Sequence, residues 1–406
     1  SVRSQPQLYI LFFTDSHPFN SVEDAEGYVA RIQILDEKIE QLILQIEDQA
    51  ASGIIAPWVV LESSRTDIKR YLGSNPSASP LRSTFRTKAA QIEGLSEAEF
   101  TALDEALVQA LKDEVFPAFE RLDDLIADLQ TQASKLIGLS ALPGGTEYYQ
   151  RLLYHYTTTD LTAEEIHALG LSEIERIQGE MRQRFSDLGY PEDESISELY
   201  QRLASDSGVL RGEEITAEYE RILREADQLV AEFFKTRPAG ELEVIGGDAG
   251  AFYSPGSMDG SRPGRFYARI TSPEPVFRMR SLAYHEGIPG HHYQISLAAM
   301  ADLPTFRSFV GFTGYTEGWA LYAEYLAYDL GWYADDPYGD LGRLQYEALR
   351  AARLVVDTGI HARGWGYDQA VDYMVENTGM VPGMIEYEVM RYISYPAQAT
   401  AYMIGK

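Results

Sequence analysis

The chain contains no cysteine. That excludes disulfides, thiolate nucleophiles and cysteine-based metal sites. It leaves the compartment open, because disulfide-free proteins occur in both the cytosol and the periplasm. No run of eighteen apolar residues occurs, so no segment is expected to span a membrane. Basic residues are scarce: 34 Lys and Arg stand against 62 Asp and Glu, a formal charge of −28. A surface of that sign repels phosphate backbones and anionic lipid, which argues against nucleic acid as a partner. The chain has no fixed-period repeat and no low-complexity tract. It begins at Ser1 with no visible signal peptide, so any leader is either removed or outside this sequence. A periplasmic or secreted location is expected over a cytoplasmic one. What is there, 406 residues that are 45% hydrophobic and 24% charged, fits a soluble globular protein with a sizeable core.

Residues 21–240 read mostly as helices. Apolar residues recur at helical spacing in "YVARIQILDEKIEQLILQI" and in "LDEALVQALKDEVFPAFERLDDLIADL". Helix starts are marked by a Ser or Thr with an acid three residues on: Ser21 with Asp24, Ser96 with Glu99, Thr162 with Glu165 and Ser172 with Glu175. Turn-rich breaks fall at 72–80 and 142–149. Near 239 the texture changes to glycine, aromatic and β-branched residues, which predicts two or three short strands joined by the turn "SMDGSRPG". Helical texture then returns. The expected fold is mainly α, with a small sheet (239–270) next to the candidate site. An N-terminal helical region (1–145) and a site-bearing region (146–406) are read as one continuous domain.

Histidine is rare, with seven in all, yet three lie within "HEGIPGHH", residues 285–292. In the zinc-binding pattern H-E-x-x-H the second His falls at i+4 and binds the same ion. Here that position is Pro289. Two His ligands must bring their nitrogens within roughly 3.5 Å of each other around zinc. On a straight helix His291 lies about 9 Å further along the axis than His285 and His292 about 10.5 Å, too far for either to join it. Pro289 and Gly290 suggest a bulge. With two residues extruded, His291 takes the place of the second His. With three extruded, His292 does. The smaller bulge needs less distortion. A third ligand is expected from "YTEGWALYAEY", where Glu317 sits in an aromatic, alanine-rich helix that would bury its carboxylate. Glu324, on the same face, suits an acceptor for a ligand His. Glu286, directly after His285, is placed as general base and acid.

"HEGIPGHH" followed by "TEGWALYAE" resembles a bacterial family known as a domain of unknown function, which itself looks like a divergent branch of the gluzincin zinc metallopeptidases. "TEGWA" is similar to the N-E-G-F-A segment that supplies the glutamate ligand in zinc aminopeptidases. "HEGIPGH" is similar to the H-E-x-x-G-H of a dipeptidyl-peptidase family, an analogy that favours His291. The resemblance runs from about residue 145 to the end, with a weaker trace at "HPFNSVEDAEGY". It implies a helical fold with a deep cleft and peptide-bond hydrolysis at a zinc ion.

Other candidates are less determined. His361, Tyr395 or Tyr402 could stabilise an oxyanion, with Asp357 orienting His361, or each could be an ordinary core group. Arg391 could bind a substrate carboxylate or pair with Glu386 or Glu388. His17, His155 and His167 read as ordinary core or surface residues. The function expected is a zinc-dependent peptidase acting on short peptides, carboxypeptidase-like or an oligopeptidase, with the strand in "GRFYARI" holding the substrate backbone. The alternative is a non-catalytic peptide- or ligand-binding protein on a degenerate peptidase scaffold.

Overall fold

The computed structural model describes residues 4–238, 240–247, 250–257, 262–301, 303–304 and 306–406. The fold is mainly α with a small sheet. Among the described residues no helix is long and apolar enough to cross a membrane.

The chain divides into two compact units between Ile137 and Gly138, ahead of the 145/146 boundary read from the sequence. The reason is local. Leu139 donates its backbone N–H to His361 Nδ1, and a Cβ on Gly138 would lie 1.9 Å from the Ile360 carbonyl oxygen. Both contacts tie the start of the turn to the second unit.

The first unit is helical. Capping boxes start the helices Val22–Ile32 at Ser21 and Glu97–Ala110 at Ser96, as the sequence predicts. The long apolar pattern at 103–129 is interrupted by a π-helical turn, Leu111–Val115. Pro117 follows it, and proline has no N–H to donate to the carbonyl four residues back.

The second unit is built around the helix Pro337–Arg363, buried from Gly339 to His361. A helix apolar or paired on every side is a core element. Several of its charged groups are paired: Arg343 meets Asp340 and Glu347, and Glu347 also receives Arg176 and Lys406. The helix Ala163–Asp187 lies along it, with Gly170 against Leu354 and Val355. Ser172 therefore caps nothing. It sits inside this 25-residue helix, whose buried face (Ile166, Ile174, Ile177, Met181, Phe185) runs unbroken past it. Tertiary burial overrides the local cap signal.

Among the described residues five strands form two small sheets: β1 (Val209–Leu210), β2 (Leu242–Gly247), β3 (Phe252–Ser254), β4 (Gly264–Arg269) and β5 (Glu274–Pro275). β1 pairs with β5. The other sheet has the order β2-β4-β3, with β2 parallel and β3 antiparallel to β4. The turn expected between strands includes residues 258–261, which lie outside the described residues. β4 carries "GRFYAR", and it is the central strand. Both of its edges are engaged, which overturns the expectation that it holds a substrate backbone by strand addition. The sheet packs into one apolar cluster with the helix Glu213–Phe233 and with Met279, Ala283, Tyr284, Ile288 and Tyr293. That cluster fixes the segment bearing the histidines.

Gly318 and Gly405 let two helices approach at backbone distance. A Cβ on Gly318 would lie 2.3 Å from the Gly405 carbonyl carbon. Gly318→Ala should therefore cost about 1–3 kcal/mol. Gly179→Ala, in an exposed helix position with nothing within 4 Å, should stabilise by about 0.5–1 kcal/mol. Urea denaturation of both variants checks the contrast; an unchanged or raised stability of Gly318→Ala would contradict the packing described.

Candidate metal centre

The segment that begins as a zinc-type helix is not a helix with a bulge. It is two helices, Val276–Glu286 and His291–Met300, separated by Gly287–Gly290. The glycines explain the break. A Cβ on Gly290 would lie 2.0 Å from the His285 carbonyl oxygen, and one on Gly287 would lie 2.3 Å from Leu223. The chain can thus fold back onto the end of the first helix, and the second begins with His291. Trp319 Nε1–H donates to the Pro289 carbonyl at 2.9 Å, holding the break against the helix Thr313–Asp329 that carries Glu317.

This brings His285, His291 and Glu317 together, with one ligand atom from each lying within 4.8 Å of the others. Glu317 Oε2 is 3.6 Å from His285 Nε2 and 3.4 Å from His291 Nε2. Those separations exceed a good N–H···O bond. They lie within about 0.1 Å of the roughly 3.3–3.5 Å between neighbouring ligands of a tetrahedral ion held at about 2.0–2.1 Å. Glu317 Oε2 is also a buried oxygen with no hydrogen-bond partner among the described residues, a condition that a cation at this point relieves. The donor set, two imidazoles and a carboxylate, suits zinc.

Around the triad, Glu324 is 2% exposed. It accepts from His285 Nδ1–H at 2.7 Å and from Ser281 Oγ–H. The bond fixes the tautomer that leaves the Nε2 lone pair facing Glu317 and His291. Burial alone would lower the His285 pKa; Glu317 and Glu324 outweigh it and raise it to about 9. Burial likewise opposes the charge on Glu317, and the two imidazoles hold it well below the ordinary carboxylate range. The Tyr402 ring stacks over His285, centroids 6.2 Å apart. Glu286 is buried at the end of the first helix.

The remaining candidates lie elsewhere. His292 turns to the sheet, with Nδ1 3.1 Å from the Tyr253 hydroxyl, and burial lowers its pKa to about 4. It lines a cavity of about 1070 Å³ with Ile288 and with Leu242, Glu243, Val244 and Ile245 of β2. His361 has no nitrogen left for an oxyanion: Nδ1 accepts from Leu139 N–H and Nε2–H donates to the Tyr392 carbonyl. Asp357 does not orient it, but accepts from Tyr149 and the Ala397 backbone. Arg391 is bound to Glu388 and Gln398, and Tyr395 is 42% exposed. The sequence reading passed over Trp319, whose place directly after the glutamate and glycine of "TEGW" was the available signal.

A profile of one bacterial protein family matches residues 2–406. The chain belongs to that family, DUF885, bacterial proteins of unknown function. Among solved structures it is similar to a "putative lipoprotein" from Colwellia psychrerythraea, at 31% identity and a TM-score of 0.91, over 97% of this chain and 70% of that one. A protein described in the same words, of unknown function, from Shewanella oneidensis shares the fold at 16% identity and a TM-score of 0.60, over 99% of this chain and 88% of that one. No protein with a curated description matches the chain.

Dialysis against zinc should separate the neighbours of this centre. His291→Ala should lose the ion, His292→Ala should keep one per chain, and Glu324→Ala should bind about 10–100-fold more weakly. Loss of zinc from His292→Ala with retention in His291→Ala would reassign the ligand.

Proposed function

We propose that this DUF885 protein is a zinc-dependent metallopeptidase of short peptides. The observation that carries the reading is Glu317 Oε2 lying 3.6 Å from His285 Nε2 and 3.4 Å from His291 Nε2, too long for good hydrogen bonds and close to the spacing of ligands on a shared ion. Three protein ligands leave a fourth position for solvent, the arrangement of hydrolytic rather than structural zinc. When bound, the ion would supply Lewis-acid polarisation of water and of the scissile carbonyl.

The protein's own residues would do the rest. The carboxylate of Glu286 takes a proton from the attacking water. Hydroxide adds to the carbonyl carbon, the C–N bond breaks, and Glu286 returns the proton to the amine nitrogen, so the carboxylate ends as it began. Glu324 keeps His285 in the tautomer that leaves Nε2 free. A substrate backbone is placed along β2, four of whose residues line the cavity that reaches Ile288 and His292. The names of the two similar structures also suit a location outside the cytoplasm.

Two variants test this. Glu286→Gln should keep zinc and lose about 10²–10⁴-fold in hydrolysis of a peptide mixture; activity within tenfold of wild type would remove Glu286 from its role. Glu317→Ala should lose zinc and activity together while staying folded. If Glu317 were instead a buried ion-pair partner, its removal would cost about 3–5 kcal/mol and leave zinc bound. Zinc stoichiometry and melting temperature on one sample decide between the two.

A further inference from the structure

Two arginines of a stripe on the central helix face the Tyr402 ring. Tyr346, Arg350, Arg353 and Asp357 follow one another at helical spacing, and all are buried. Arg350 is 6% exposed and Arg353 is 5% exposed. The Arg353 guanidinium lies 4.6 Å and that of Arg350 5.2 Å from the Tyr402 ring centroid. Arg353 and Arg391 share a single carboxylate, Glu388, at 2.7 and 2.9 Å. Arg350 has no carboxylate within ion-pair distance among the described residues, and its Nε has no hydrogen-bond partner among them. Its guanidinium lies over the faces of Tyr346 and Tyr402. Arg353 Nη1 is likewise unpartnered. Asp357 on the same stripe is occupied by the Tyr149 hydroxyl and the Ala397 backbone, so Arg350 is left a buried cation with no ion-pair partner among the described residues.

A buried guanidinium without an anion is costly, and its aromatic neighbours offset only part of that cost. Its planar fork of donors matches a carboxylate. Tyr402 is the ring that also stacks over His285. The two ring distances, 5.2 and 6.2 Å, cap the reach from Arg350 to His285 at their sum, which an extended peptide covers in about three residues.

We propose that Arg350, flanked by Arg353, binds the C-terminal carboxylate of the peptide substrate, so that the enzyme removes one or a few residues from a free C-terminus. The inference rests on the peptidase reading above. Arg350 sets which peptides bind and in what register. A carboxylate there supplies the missing anion, and a peptide whose terminus is an amide does not.

The test uses acetyl-Ala-Ala-Phe as the free acid and as its C-terminal amide, on the zinc-loaded full chain. Binding to Glu286→Gln is measured by calorimetry and hydrolysis by the wild type. The free acid should bind about 10²-fold more tightly than the amide. Arg350→Met in the same background should bring the acid down to the level of the amide, with no fall in melting temperature. Arg350→Lys, which keeps the charge but not the fork, should retain part of the preference and guards against misfolding of the Met variant. Equal binding of acid and amide by the parent, or a preference that survives Arg350→Met, overturns the anchor. Zinc-dependent cleavage of both probes at equal rates overturns the anchor and leaves the peptidase reading standing. A preference for the acid in a protein that neither holds zinc nor cleaves overturns the peptidase reading and leaves the anchor.

Discussion

The bond between Glu324 and His285 is the constraint on which the rest of the centre depends. Inside a protein an imidazole offers its lone pair in a chosen direction only if its other nitrogen is held. Glu324 does this from the same helix that carries Glu317, seven residues earlier, so one rigid element sets both the ligand carboxylate and the orientation of the first histidine. That helix is in turn placed by backbone contact with the chain's C-terminal helix Ala401–Gly405 through Gly314, Gly318 and Gly405. Lys406 then closes on Glu347 of the central helix. Tyr402 lies over His285 because this chain of close packing leaves it no other place.

Much of this was legible in the sequence, and what was legible was local. A rare residue type concentrated in eight positions, beside Pro and Gly, marked the segment. "TEGW" marked the partner: Glu317 faces the histidines, Gly318 admits the C-terminal helix, and Trp319 holds the Pro289 turn. The form of the break was not legible. A bulge and a break both bring His291 back toward His285, and the choice depended on Gly290 lying against the carbonyls of 284 and 285.

The misreadings share a physical origin. Ser172 carries a capping pattern, but a helix ends only where its buried face ends, and that face is set by the partner helix across Gly170. "GRFYARI" reads as a strand and is one. Whether a strand is central or at an edge depends on pairings some twenty residues away. His361 looks available in sequence because its partners, the Leu139 and Tyr392 backbones, are supplied by the fold; for Arg391 the pairing with Glu388 that the sequence offers is the one found, with Gln398 beside it. Arg350 shows the converse. "LRAAR" reads as an ordinary helical stretch, and its lack of an anion emerges only once every neighbouring charge has been paired.

The electrostatics of the two buried clusters explain why they can stand side by side in so acidic a chain. At the histidines, burial disfavours every charge, yet Glu317 and Glu324 together raise His285 to about 9. In the metal-free protein a proton is thus the cation those carboxylates draw in. A dication at the same three atoms would replace that proton, and the carboxylates would be satisfied by the ion instead. Across the Tyr402 ring Arg353 and Arg391 share Glu388, and Arg350 has no carboxylate within ion-pair distance among the described residues. At the histidines the partners outweigh the cost of burial. Arg350 has no carboxylate partner among the described residues, so its burial is not offset in that way. On the reading proposed above, a peptide laid between the two clusters would present a polarisable carbonyl to one and a carboxylate to the other, and the two complementary demands would set its direction in the site.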